Sequence, residues 1–222
     1  MTVFLKDLRI SGAGVVMISA IVLAAGQSIR MGAQKVLLPY GKSTVIEHIV
    51  NVLNKGGVDE VVAVTGHQSE NVAAALRNTA VKIANNEQHL SGMLSSVRCG
   101  IRAASADAQA YLVALGDQPS IRVSVVAALI SAFAEEQTDQ GLILIPTFDH
   151  HRGHPLLISS HFREDVLQRF DETGLRGLLA SYPEHIREIS ANESGILRDM
   201  DYPEDYEFEL RMRREPDDAG GE

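Results

Sequence analysis

Short apolar, β-branched runs alternate along this chain with longer stretches whose apolar positions recur at helical spacing. Residues 18–23, 60–65, 110–115, 142–145 and 155–158 read as strands, and 43–55, 69–78, 93–105, 122–136 and 160–170 as helices. Two helical stretches open on capping chemistry: Ser43 precedes Thr44-Val45-Ile46 with Glu47 close by, and Ser69 is followed by Glu70. Strands alternating with helices of this length predict βαβ units, hence an α/β fold whose mostly parallel sheet is covered on both faces. Such sheets bind ligands outside the carboxyl ends of their strands, so function belongs in the loops that follow them. No repeat, low-complexity tract or Pro/Gly linker divides the pattern. It predicts an extension over 1–16, one domain over 17–210, and an acidic, disordered tail over 211–222 containing Glu215-Pro216-Asp217-Asp218 and two glycines.

Composition narrows the class. At 222 residues, 45% hydrophobic and 22% charged, the chain matches an ordinary globular domain that buries enough surface to need no staples. Lys6 and Arg9 precede an apolar run over 13–25 that imitates a signal peptide. That run is shorter than the roughly 20 residues a bilayer span needs, and a buried strand ending at Gly26 explains it better, because the residues after it make chemical sense only if retained. Met17 stands where an alternative start would fall. The single cysteine, Cys99, excludes an internal disulfide framework and fits a reducing compartment, so the expected location is the cytoplasm. Twenty Lys+Arg against 29 Asp+Glu give a net charge of −9, which argues against a protein that coats nucleic acid. The charge is uneven: residues 204–222 carry eight acids against three arginines, whereas from Leu8 the charges ahead of Glu47 are Arg9, Arg30, Lys35 and Lys42.

That cationic stretch contains the segment Leu23-Ala24-Ala25-Gly26-Gln27-Ser28-Ile29-Arg30-Met31-Gly32-Ala33-Gln34-Lys35. Small residues and two glycines let backbone N–H groups approach a ligand, and Arg30 and Lys35 add cations with no acid nearby in sequence. A loop of this kind after a buried strand suits phosphate groups, and the bland alternative is a solvated βα turn. Gly41-Lys42-Ser43 resembles the end of a Walker A loop, but Val36 stands where its first glycine belongs. Gly12-Ala13-Gly14 lacks a third glycine and precedes the strand, so no dinucleotide fingerprint is present.

Five further segments are candidates. Leu115-Gly116-Asp117-Gln118-Pro119 ends a strand on a carboxylate, placed either to hold a hard cation or to form an Asx turn. Arg198-Asp199-Met200-Asp201 offers a second carboxylate pair, and Asp201 is equally placed to cap a helix that Pro203 begins. Leu90-Ser91-Gly92-Met93-Leu94-Ser95-Ser96 opens a helix with groups that either cap it or read a polar base edge, and Thr65-Gly66-His67 is a weaker candidate for the same pocket. His150-His151-Arg152-Gly153-His154 invites a zinc reading, but no thiol or fixed i, i+4 pair supports one.

The loop LAAG-x-S-x-RMG-x-x-K followed by Leu37-Leu38-Pro39 resembles the signature of the MobA-like nucleotidyltransferases, and within them the molybdenum cofactor cytidylyltransferase branch. The likeness runs from Ile18 to Tyr206. It implies a three-layer α/β/α sandwich, a Rossmann-like nucleotidyltransferase fold with a mostly parallel mixed sheet. It also implies that Leu23, Ala24, Ala25 and Gly26 wrap a triphosphate, that Arg30 and Lys35 neutralise it, and that Asp117 and Asp201 hold Mg²⁺. Gly92 and Ser95 would lie beside the nucleotide with Thr65, and Arg152, Gly153 and His154 on the acceptor side. The implied reaction moves CMP from CTP to the phosphate of molybdopterin and releases pyrophosphate, with Arg30, Lys35 and Asp117 catalytic. Ala24-Ala25 resembles the cytidylyl branch rather than the guanylyl one. A GTP-using or other-substrate relative, or a non-catalytic cofactor chaperone, is the alternative; a molybdenum hydroxylase is the implied recipient, with neither nucleic acid nor membrane as partner. Tyr202 departs from the family's usual threonine.

Overall fold

The structure is a computed structural model that describes residues 16–136 and 140–214. In chain order, β1 (Ile18–Ala24) is followed by a hairpin of β2 (Pro39–Tyr40) and β3 (Ser43–Thr44), then α1 (Val45–Gly56) and β4 (Glu60–Thr65). Next come α2 (Ser69–Leu76), β5 (Lys82–Asn85), α3 (Met93–Ala103), β6 (Ala110–Leu115) and α4 (Val123–Glu135). The second half holds β7 (Ile143–Phe148), β8 (His151–Arg152), β9 (Leu156–Ser159), α5 (Arg163–Gln168), α6 (Leu175–Ser181), β10 (Ile186–Ser190) and α7 (Pro203–Arg214).

The main sheet has the order β10-β7-β9-β6-β1-β4-β5, with β8 paired to β7. β1 pairs in parallel with both β4 and β6, β5 joins β4 in parallel, and β10 joins β7 in parallel. β9 runs antiparallel to β6 and β7. Two faces of this sheet carry two apolar clusters, as the two-residue period of a strand requires. Ile18, Ala20 and Val22 of β1 pack with α1 and α4, while Ile21 packs with Val97 and Ile101 of α3 and with Phe162 and Leu178. The result is the α/β/α sandwich that the alternation predicts.

Local chemistry explains where the elements differ from expectation. α1 starts at Val45 because Ser43 and Thr44 are drawn into the hairpin; Thr44 then caps the helix, completing a capping box with Glu47. α5 stops at Gln168, short of the expected 170, because Phe170 adopts a left-handed φ of 72°. β5, β10 and α6 were not anticipated. Met17 is tied to Gln109 through both its backbone N–H and its carbonyl, and Val16, expected in the extension, is buried in the core. At the other end α7 runs to Arg214, so 211–214 are helical rather than disordered. Residues 1–15 and 215–222, the rest of the expected extension and tail, lie outside the described residues. α7 is held by Glu209, only 2% exposed, which accepts from Arg198 Nε at 2.8 Å and from the Ser120 hydroxyl. Among the described residues no helix is long and apolar enough to cross a membrane.

Candidate active site

Because β1, β4, β5 and β6 are parallel neighbours, the loops after them meet at one edge of the sheet. Gly116 donates its N–H to Leu23 O at 3.0 Å, pressing the loop after β6 against the end of β1. A Cβ there would lie 2.6 Å from that same oxygen, so the close approach requires glycine. The loop after β1 turns through a left-handed Ser28 (φ 52°), whose hydroxyl accepts from Lys35 N–H at 3.2 Å. Gln34 Nε2 crosses the turn to Gly26 O at 3.2 Å. This folding brings Lys35 back over the mouth of the sheet.

There the Lys35 ammonium contacts Asp117 Oδ2 and lies 3.0 Å from Asp201 Oδ1; the other Asp201 oxygen accepts from Arg30 Nη1 at 3.1 Å. Burial would lower the Lys35 pKa, but the charges and hydrogen bonds of Asp117 and Asp201 outweigh it and the net shift is upward, keeping the ammonium protonated. Two features aim Asp201: its N–H and that of Tyr202 donate to Asp205 Oδ2 at 3.0 and 2.8 Å, and Met200 N–H donates to Asp117 O at 3.1 Å. The Arg30 guanidinium lies 5.7 Å from the Tyr202 ring centroid, so the aromatic ring is a platform for that arginine.

A cleft of about 480 Å³ opens beside this cluster, and Leu23, Ala24, Ala25, Gly26, Lys35, Gly92, Asp117 and Asp201 all line it. Arg30 sits at its rim through Asp201. Two residues expected beside the nucleotide do not line this cleft. Thr65 is fully buried under the loop, its hydroxyl 2.7 Å from that of Ser69. Ser95 turns away: its hydroxyl lies 2.9 Å from Gln88 O and 2.8 Å from Gly92 O, and it lines a different cavity beside α3. Its neighbour Ser96 faces the cleft instead, together with Met93, His89 and Asp199. Asp199 was legible as an i, i+2 partner of Asp201, since extended chain puts alternate side chains on one side. Burial, then the charge of Asp117, raises its pKa.

Asp117 and Asp201 suit a hard divalent cation: two carboxylates from separate loops converge on a single cationic atom, and Mg²⁺ is typically held by one or two carboxylates with substrate phosphates completing the shell. Among the described residues no three acidic, histidine or cysteine side chains form a protein-only metal cage.

A second cavity of about 680 Å³ shares Gly92 and Met93 with the cleft and is lined by Arg152, Gly153 and His154. The Arg152 guanidinium is paired with Glu188 at 2.7 Å. His154 Nδ1 is buried without a hydrogen-bond partner, while the ring bonds to the Val113 backbone. Burial lowers its pKa against that bond and the charges of Asp117 and Asp199. The far wall is residues 171–176, a segment the chain's pattern did not single out.

The description MobA-like NTP transferase domain belongs to a family model that matches residues 20–186. The chain is 32% identical over 194 residues to the nicotine blue oxidoreductase of Paenarthrobacter nicotinovorans, covering 83% of this chain and 92% of that one. It is 28% identical over 191 residues to the molybdenum cofactor cytidylyltransferase of Escherichia coli K12, covering 85% and 93%. A solved nucleotidyl transferase from Methanothermobacter superposes with a TM-score of 0.74 at 28% identity, over 88% of this chain and 99% of that one.

Proposed function

The chain belongs to the MobA-like NTP transferase family, and from that premise we propose that it transfers CMP from CTP to the phosphate of molybdopterin, releasing pyrophosphate. That it is a nucleotidyltransferase follows from the family; the base and the acceptor are the proposal. One observation carries it: Lys35 joins Asp117 and Asp201 at the mouth of a glycine-loop cleft that shares Gly92 and Met93 with a second cavity of about 680 Å³. Ala24-Ala25 in the loop, and the similarity to a molybdenum cofactor cytidylyltransferase, support the base and the acceptor.

In this reading the triphosphate lies on the 23–28 loop, where backbone N–H groups and the Lys35 and Arg30 cations receive its charge. Asp117 and Asp201 hold Mg²⁺, which supplies neutralisation of phosphate oxygens when bound. Arg152 and His154 line the acceptor side, and Gly92 and Met93, which line both cavities, lie between the two substrates. An oxygen of the acceptor phosphate forms a bond to the α-phosphorus as the bond to the β-phosphate oxygen breaks, and that electron pair leaves with pyrophosphate. Both reactants are anions, so alignment and charge stabilisation supply most of the rate, and no protein nucleophile is required. Two carboxylates placed to hold a divalent cation suit phosphoryl transfer.

The test is pyrophosphate release with each of the four NTPs, with and without molybdopterin and Mg²⁺. Release that needs CTP and molybdopterin together supports the reading. GTP outperforming CTP would overturn the base, another acceptor the molybdopterin assignment, and molybdopterin bound without turnover under any combination would favour a chaperone.

A further inference from the structure

Helix α3 begins at Met93, where the cleft and the second cavity meet, and one face of it reaches the far wall of the second cavity. Arg98, in the middle of this helix, is only 15% exposed and spends its guanidinium on one short segment. Nε donates to Val166 O at 2.8 Å, Nη2 to Arg169 O at 2.6 Å, and Nη1 to Asp171 Oδ1 at 2.5 Å. The first two acceptors are carbonyls at the end of α5, where helical partners run out. Capping α5 would be a sufficient account of those two bonds. It does not account for the third, which lies beyond the helix on a carboxylate that is 74% exposed and stands in the cavity wall.

Between the second and third acceptors the chain turns at Phe170. Phe170 holds φ 72°, a conformation unfavourable for a bulky side chain unless its surroundings impose it. Thr173 and Gly174 N–H groups close the turn on Phe170 O at 3.2 and 2.8 Å. Residues 171–176, which follow directly, line the same cavity as Arg152 and His154. A planar, five-donor guanidinium can grip three acceptors in one fixed geometry, which a lysine cannot.

We propose that Arg98 is a positioning residue for the acceptor: from α3 it fixes the 169–174 turn, and so holds the acceptor-cavity wall in register with the nucleotide cleft at the same helix's N-terminus. The assignment of the second cavity to the acceptor rests on the function proposed above. Arg98→Ala and Arg98→Lys should each raise the KM for molybdopterin at least tenfold, and leave the KM for CTP within twofold. Asp171→Asn, at an exposed position that should not impair folding, should raise the acceptor KM about threefold. Hydrogen exchange of the substrate-free protein should show faster exchange across 169–174 in both Arg98 variants, with the 92–97 amides unchanged. Lysine restoring wild-type acceptor KM, or CTP and acceptor KM rising together, would overturn the proposal. So would unchanged exchange across the turn. If wild-type protein shows no turnover with CTP and molybdopterin, the substrate reading fails by itself, and the exchange measurement still decides whether Arg98 holds the turn.

Discussion

Replacing Lys35 with methionine removes the ammonium from between Asp117 and Asp201 while keeping most of the packed stem. The lysine side chain is 15% exposed and the two carboxylates 17% and 44%. At an effective dielectric of about 20, charges 4 Å apart attract by about 4 kcal/mol, much of it offset by desolvation of the ammonium. Truncating one partner costs about 0–1 kcal/mol at a surface and about 3–5 kcal/mol when the surviving charge is buried. These carboxylates lie between the limits, so the loss is about 2 kcal/mol, or about 4–8 °C in Tm for a protein of this size. The loss in turnover is larger, about 10²–10³ in kcat, as for other donors aimed at developing charge. Magnesium separates the two effects. The ammonium and a divalent cation compete for the same carboxylate oxygens, so Mg²⁺ should raise the Tm of Lys35→Met more than that of the wild type. Thermal unfolding across an Mg²⁺ titration, with pyrophosphate release on the same samples, measures both. Equal Mg²⁺-dependent shifts in the two proteins, or a variant within threefold of wild-type turnover, would refute the reasoning.

Asp117→Asn keeps the side chain's shape but removes its charge, and should cut turnover at least about tenfold, the equivalent of 1.36 kcal/mol; full activity would remove Asp117 from the metal site. Gly153→Ala would put a Cβ 2.4 Å from Ile196 O and 2.8 Å from Ile196 Cγ1, so thermal unfolding should show a loss of about 1–3 kcal/mol, and an unchanged Tm would contradict the packing. His48 donates from Nε2 to Pro119 O at 3.1 Å, and burial holds its pKa below the ordinary 6.5 against that bond, with Arg213 and Lys55 adding to the depression. Protonation therefore favours the unfolded chain: the stability present above pH 6.5 is lost as pH falls from there through the folded-state value. His48→Gln should flatten the fall in Tm between pH 7 and acid relative to wild type, and parallel curves would contradict that sign.

How much of this was legible in the sequence depended on burial. β1, β4 and β6 lie in the sheet interior, where both faces are covered, and their unbroken apolar runs announce them. β5 and β10 are the sheet's two edges; in β5 only Ala84 is buried, and β10 has no fully buried residue, so neither stands out from loop. The phosphate loop was readable because its glycines, small residues and cations are contiguous. The pairing of Lys35 with two acids was not readable, because Asp117 and Asp201 come from loops far away in sequence. Ser95 and Ser96 are adjacent and chemically identical, and only the rotation of α3 decides which of them lines the cleft and which turns its hydroxyl to Gln88 O. Arg98 carried no signal, since its partners lie about seventy residues away and two of them are backbone carbonyls.

Transfer of a nucleotidyl group to a second substrate is followed most directly through the α-phosphate of CTP. With CTP labelled at the α-phosphorus, incubation with molybdopterin and Mg²⁺ should move the label into a product containing both cytidine and pterin, with unlabelled pyrophosphate released in equal amount. Label that remains in CTP, or that appears only as free CMP whether or not the pterin is present, would contradict the account.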